Sequence, residues 1–394
     1  MMCLRWILVV CLCLVTAACN REESMSQLTE RVFSVALKQY IAMDARLTDR
    51  TLPRTLDENG IFVNSDIRWW CSGFYPGSLW YIYEYTGDVE IRTLAEKNTR
   101  KLEPIQFRTD DHDVGFQLNC SYGNAFRLTA DTTWLTVLRQ GAQSLSTRFS
   151  CVTGTIRSWD FVRKGCDWRF PVIIDNLMNL ELLMSVAREA GADSLRQIAC
   201  AHASTTLRNH FRSDYTCFHL VDYDPEDGHV RGRQTVQGLR DDSVWARGQA
   251  WALYGYTMMY RMADSVSYLV RAENIARMLL ERLPEDGVPY WDFDAPGTLR
   301  DASAAAVMAS AFVELSGYTT DQNLRREIVR MAERQLRTLA SPIYLAEPGT
   351  NGNFLLKHSV GALPDGKEVD VPLTYADYYF LEALMRFRNL ESTI

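Results

Sequence analysis

Asp241-Asp242-Ser243-Val244-Trp245-Ala246-Arg247-Gly248-Gln249-Ala250-Trp251-Ala252-Leu253-Tyr254-Gly255-Tyr256 reads as the opening of a buried helix. Asp242 or Ser243 can cap its first turn, and apolar or small residues follow. Arg247 and Trp251 stand four apart, so both side chains leave one face of the helix. A guanidinium on an otherwise apolar face is costly to bury without a partner. The pair suits a ligand with a carboxylate and a flat sugar face, because Arg forks onto carboxylates and Trp stacks on ring faces. The plainer reading pairs Arg247 with a neighbouring acid and leaves Trp251 as core. Taken alone, the stretch tips toward the plainer one.

This helix runs into Arg261-Met262-Ala263-Asp264, and the same ending recurs along the chain. The other breaks are Tyr85-Thr86-Gly87-Asp88, Leu128-Thr129-Ala130-Asp131, Ala190-Gly191-Ala192-Asp193 and Tyr318-Thr319-Thr320-Asp321. Each Asp is a good N-cap for a following helix. The helices after the breaks, such as 89–102 and 322–339, alternate charged and apolar residues like solvent-facing amphipathic helices. Those before them (77–85, 115–128, 175–190, 243–262 and 302–317) are apolar or small on nearly every side. Residues 375–388 make a sixth of that kind, and 23–44 form an amphipathic helix that begins the set. Six buried helices alternating with amphipathic ones predict an all-α fold, a closed (α/α)6 barrel. Regular strand alternation is scarce, so no large sheet is expected. If each hairpin runs inner helix then outer, the inner helices are parallel and their N-termini gather at one mouth. Helix dipoles and unpaired amides make that mouth favourable for an anion.

Outside the repeat, Met1 to Cys19 reads as a targeting segment. Arg5 supplies charge, Trp6 to Val15 an apolar run, and Thr16-Ala17-Ala18 the small residues before Cys19. The apolar run is too short for a good membrane span. Small residues ending at a cysteine look like a bacterial lipobox, with Cys19 lipidated; an ordinary secretory signal is the alternative. Either way the chain is expected to be exported, to the periplasm or outer membrane of a bacterium. Residues 20–394 are then a single catalytic domain. Hydrophobic residues at 47% and aromatics at 11% indicate a well-buried globular protein. A net charge of −7 argues against a general nucleic-acid binder. The cysteines after the leader (Cys71, Cys120, Cys151, Cys166, Cys200, Cys217) lack close paired spacing and read as buried hydrophobes. The six scattered histidines lack metal-ligand spacing, so no metal is expected.

The unusual residues fall at the inner-helix starts. They are Trp69-Trp70-Cys71-Ser72-Gly73-Phe74, Asp111-His112-Asp113-Val114-Gly115-Phe116, Ile173-Ile174-Asp175-Asn176-Leu177-Met178-Asn179, and Gln237-Gly238 ahead of Arg247 and Trp251. Lys357-His358-Ser359-Val360 precedes the sixth. Asp175 follows Phe170-Pro171-Val172-Ile173-Ile174, and an acid in so apolar a setting should carry a proton easily, as a general acid must. A helix cap is equally permitted there. Asp113 by itself reads as a cap or turn residue, His219 as a satisfied core histidine, and Trp70 and Trp159 as core. The pair of carboxylates gains meaning because a ring brings both helix starts to one mouth.

Trp70-x-x-Gly73-Phe74, His112-Asp113-Val114-Gly115-Phe116, Asp175-Asn176-x-x-Asn179-Leu180 and Trp245-Ala246-Arg247-Gly248-Gln249-Ala250-Trp251 together resemble the unsaturated glucuronyl hydrolases of glycoside hydrolase family 88. The resemblance runs from about residue 27 to residue 390. It implies an (α/α)6 barrel that acts on disaccharides or short oligosaccharides left by polysaccharide lyases, whose non-reducing sugar is a uronate with a C4=C5 double bond. By matching motif, Asp175 takes the general acid/base role and Asp113 that of the second carboxylate. Trp70, Trp159, His219, Gln237, Arg247, Trp251 and His358 fall where the family contacts the unsaturated sugar. The implied chemistry is hydration of the double bond, without a cofactor, in place of direct displacement at the anomeric carbon.

One departure follows His358. Family members that favour sulfated glycosaminoglycan fragments tend to carry Ser-x-x-Ser-x-Lys there, whereas this chain has Ala362-Leu363-Pro364-Asp365-Gly366-Lys367. The lysine is kept and both serines are missing. Two rival readings stand beside the main one: an unsaturated rhamnogalacturonyl hydrolase acting on pectin fragments, and a non-catalytic glycan-binding lipoprotein.

Overall fold

The computed structural model describes residues 23–161, 163–297 and 299–392. The 1–19 segment read as a signal lies outside them. The first helix among the described residues, α1 (Met25–Asp44), opens on a capping box in which Ser24 and Gln27 satisfy each other's backbone amides. A two-stranded hairpin, β1 (Thr51–Leu56) and β2 (Phe62–Asp66), leads to α2 (Phe74–Thr86) and α3 (Val89–Arg100). The next inner helix is α4 (Val114–Leu118), carried through a π turn at Asn119–Gly123 into α5 (Asn124–Thr129), and α6 (Thr132–Ser146) follows outside it. Short strands β3 (Phe149–Ser150), β4 (Thr155–Ile156) and β5 (Pro171–Ile173) precede α7 (Asn176–Ala190) and α8 (Asp193–Asn209). Then come β6 (Leu220–Tyr223), β7 (Val230–Gln234), α9 (Ala246–Ala263), α10 (Val266–Arg282), α11 (Ala302–Ser316) and α12 (Gln322–Leu339). The chain ends with β8 (Ser359–Ala362), β9 (Lys367–Val371) and α13 (Thr374–Glu391).

The inner helices close a ring. α2 packs on the α4–α5 run, which packs on α7, then α9, α11 and α13, and α13 returns to α2. Each of α3, α6, α8, α10 and α12 lies outside its preceding inner helix, and α1 covers α13 and α2. This is the expected (α/α)6 barrel. Close approach within the ring depends on small residues. A Cβ on Gly115 of α4 would collide with the backbone of Asn179 on α7, so the two inner helices can meet only with glycine there.

Three of the five expected caps form. Asp88 accepts the amides of Glu90 and Ile91, Asp131 that of Thr133, and Asp321 those of Asn323 and Leu324. The other two do not. Asp193 is one residue too far along, because the left-handed residue ending α7 is Gly191 and Ala192 becomes the N-cap. Asp264 itself takes the left-handed C-cap of α9, φ 55, a conformation that Asp tolerates better than most residues. The opening stretch is also corrected. Neither Asp242 nor Ser243 caps α9, which starts at Ala246 with Trp245 in the N-cap position. Asp242 instead pairs with Arg240, and the Ser243 hydroxyl donates to buried Asp292.

Among the described residues the sheets have two or three strands each, and they gather at the inner-helix starts. β5, β6 and β7 form the three-stranded one, antiparallel throughout.

Candidate active site

A cavity of 390 Å³ opens at the end of the ring where α2, α4, α7 and α9 begin. Its walls include Trp70, Asp113, Trp159, Asp175, Gln237, Arg247 and Trp251. A larger cavity of 580 Å³ opens where the inner helices end. Its charged groups are largely spent on each other, as in Arg127–Glu84, Arg261–Glu181 and Arg386–Glu382. The smaller cavity differs because it holds carboxylate oxygen that the protein does not use.

Asp175 follows β5 and occupies the N-cap position of α7, but its side chain makes no capping bond. It is 6% exposed, and its Oδ1 has no hydrogen-bond partner. Oδ2 lies 3.6 Å from His219 Nε2. His219 comes from β6's leading edge, where its carbonyl accepts the Ile174 amide. Its Nδ1 accepts the Val236 amide at 3.0 Å, so the neutral ring carries its hydrogen on Nε2, facing Asp175. His219 is therefore buried and held on one side, with the other side turned to the carboxylate.

Asp113 occupies the matching position before α4, again without a capping bond. Asn179, one turn along α7 from Asp175, grips this start. Its Oδ1 accepts the Phe116 amide at 2.7 Å, and its Nδ2 donates to Asp113 Oδ1 at 3.3 Å. His112 Nε2 lies 3.4 Å from the same oxygen. Burial pushes the Asp113 carboxyl well above the usual carboxylate range, and the charges of Asp111 and Asp175 push it further. Burial lowers His112 to about 4, so it is neutral at physiological pH. The carboxyl held up by its surroundings is thus Asp113.

Asp111, His112 and Asp113 bring donor atoms within 4.8 Å of one another, a grouping the histidine spacing does not reveal. Protein partners already engage them. Arg108 and the Asp113 amide hold Asp111, and the Asn179 amide faces the other two. The set reads as a hydrogen-bonded loop.

The aromatics frame the carboxylates. Trp70 sits among Phe74, Phe116 and Tyr375, and Trp251 meets Phe116 and Tyr379 edge-on. Trp159 stacks on Phe161 with centroids 5.1 Å apart and meets His112 and His219 edge-on. Arg247 lines the cavity and also fits the plainer reading. It is 1% exposed, pairs with Asp301 at 3.2 Å, and donates to the carbonyls of Val360 and Gly361. Gln237 Nε2 donates to that same Gly361 carbonyl at 3.2 Å.

His358 stands apart from these residues. It does not line the cavity; its ring bonds Asp370 at 2.7 Å and meets Tyr344 edge-on, with the side chain 41% exposed. The backbone there has φ 61, and the chain turns this side chain outward just before β8. Residues without an assigned role also reach the cavity, among them Arg54, Trp69, Arg108, Phe161 and Glu368. Trp69 and Phe116 stood inside quoted motifs. Arg54 and Glu368 lie in short strands with no motif around them.

A closed helical toroid whose mouth holds two buried carboxylates among tryptophans defines a carbohydrate-processing enzyme class. No family model matches the chain. The chain is 44% identical over 327 residues to the unsaturated glucuronyl hydrolase of Formosa agariphila, covering 82% of this chain and 80% of that protein. The crystal structure of an unsaturated glucuronyl hydrolase specific for heparin superposes with a TM-score of 0.89 at 44% identity, covering 93% of this chain and 98% of that one. A mutant of the Streptococcus agalactiae enzyme, complexed with dGlcA-GalNAc6S, superposes at 0.79 with 31% identity, covering 94% and 93%. The chain belongs to the unsaturated glucuronyl hydrolases, glycoside hydrolase family 88, and is a glycosidase.

Proposed function

We propose that the chain removes the 4,5-unsaturated uronic acid from the non-reducing end of lyase-made glycosaminoglycan-type oligosaccharides by hydrating the C4=C5 bond. The observation that carries this reading is an Asp175 oxygen without a protein partner, in a tryptophan-walled cavity that also holds Asp113. The heparin specificity of one relative and the dGlcA-GalNAc6S bound by another support the substrate class. The double bond is a vinyl ether, so protonation at C4 develops positive charge on C5 and the ring oxygen. Asp175 gives that proton and then assists the water that adds at C5. The hydrated sugar is a hemiketal that opens and releases its neighbour. His219 Nε2–H steadies Asp175, Asp113 is the second carboxylate, and Trp70, Trp159 and Trp251 hold the flat ring. Burial favours the protonated form of Asp113, which lessens the negative charge beside a carboxylate substrate.

The test is the ultraviolet absorbance of the conjugated bond in such a disaccharide. This enzyme should abolish it on glycosaminoglycan products. A glycan-binding protein would leave it unchanged, and a rhamnogalacturonyl hydrolase would act on pectin-derived products instead.

The chain is exported as one domain, 20–394, behind a lipoprotein signal, and Cys19 carries lipid that holds it to a bacterial membrane. Thr16-Ala17-Ala18 before Cys19 supports this. Cys19→Ser should move the protein to the soluble fraction; an unchanged membrane fraction would contradict the anchor.

A further inference from the structure

Four arginines line the cavity, and they differ in how much of the guanidinium the protein consumes. Arg247 gives its Nη groups to Asp301 and two carbonyls. Arg108 gives Nε and both Nη groups to Asp110, Asp111, Gln117 and the Arg68 carbonyl. Arg68 leans toward solvent, 59% exposed, with Nη2 on Asp110. Arg54 is unlike all three. Its Nε donates to Glu368 Oε1 at 2.6 Å, and its plane lies over Trp69, 3.7 Å from the ring centroid. The side chain is 21% exposed, and neither Nη group has a protein acceptor among the described residues.

The arrangement is over-determined. β1 brings Arg54 to the cavity and β9 brings Glu368. Glu368 holds a left-handed backbone, φ 53, that side chains disfavour, and its carboxyl packs where a Cβ on Gly361 would stand. Disfavoured backbone persists where surrounding contacts enforce it, often at ligand clamps. Here it fixes the Nε edge of a guanidinium on an aromatic face. The remaining edge, with two parallel NH2 donors, is the geometry that receives an oxyanion.

Building on the substrate reading above, we propose that Arg54 is a specificity-determining residue whose free Nη edge takes an oxyanion of the substrate. Two oxyanions have that chemistry: the C5 carboxylate on every unsaturated uronate, and a sulfate ester on some. The experiment measures kcat and KM for wild type, Arg54→Gln and Arg54→Lys on an unsulfated and a sulfated lyase-made disaccharide, with melting temperatures alongside. A charge-assisted hydrogen bond to substrate predicts a KM rise of about tenfold or more in Arg54→Gln, with kcat nearly unchanged. Arg54→Lys keeps the charge without the fork and falls between. A rise on both disaccharides identifies the carboxylate, and a rise confined to the sulfated one identifies the sulfate. Folded variants with wild-type KM on both would overturn the proposal. Should Arg54→Gln fail to fold, an unchanged KM in Arg54→Lys overturns it equally. Wild type inactive on both substrates would instead refute the substrate reading itself.

Discussion

At Asp175 the protein leaves a buried acceptor unpaired, which costs roughly 1–3 kcal/mol in a folded protein. Asp175→Asn keeps the size and shape of the side chain and should fold like wild type, yet lose about 10²–10⁴ in turnover because the deliverable proton is gone. Substrate binding should persist, and steady-state kinetics would show kcat falling with KM little changed. Asp113 makes a second prediction. Its folded pKa is raised, chiefly by burial, so the folded state binds a proton that the unfolded state releases. That contribution is full below the ordinary carboxylate pKa and is lost as pH rises through the raised value. Asp113→Asn keeps the Asn179 hydrogen bond without the ionisation. Its melting temperature should exceed wild type's at pH 8 and converge with it near pH 4. A constant offset at both pH values would contradict the assignment.

Among the elements, the Asp-capped breaks divide into two groups. Asp88→Ala and Asp321→Ala each remove a side chain that accepts two helix amides and should cost about 1 kcal/mol in urea denaturation. Asp193→Ala removes no cap and should cost clearly less. Equal losses would show that helix-dipole effects outweigh capping. The inner and outer helices were legible from sequence because burial writes a continuous apolar pattern into one set and an alternating pattern into the other. The start of α9 was not, since its first turn lacks a side-chain cap and Asp242 and Ser243 serve other partners. The mouth strands were illegible too, because they run only two to six residues and several, such as Lys367–Val371, carry polar side chains. Arg54 and Glu368 entered the cavity on those strands. The fate of Arg247 was half legible: its need for a partner was plain, but Asp301 belongs to the start of another inner helix.

For the whole molecule, buried titratable groups set how stability depends on pH. Burial holds His112, His202 and His210 at about 4, 3 and 4, so the unfolded chain binds protons there that the folded one refuses. Stability from these groups grows as pH rises toward the ordinary histidine value of about 6.5. Asp377, which ties α13 to Tyr40 of α1 and to the amides of Leu355 and Leu356, is raised to about 7 by burial. Asp377 and Asp113 act in the opposite sense, losing stability as pH rises through their raised values. Glu181, raised by burial as well, joins them. Three carboxyls thus oppose three histidines below about pH 6.5 and largely offset them, and above it the carboxyls alone turn the curve down. Urea denaturation should find stability falling from about pH 6.5 upward, and stability still rising there would contradict this balance. The same ring that buries these groups brings Asp113 and Asp175 to one mouth for one reaction. Proton NMR of an unsaturated disaccharide in heavy water follows that reaction directly. The hydration account predicts that the vinylic C4 proton signal disappears no later than the second sugar is released, with one deuterium entering at C4. A released unsaturated monosaccharide that still carries its vinylic proton would contradict it.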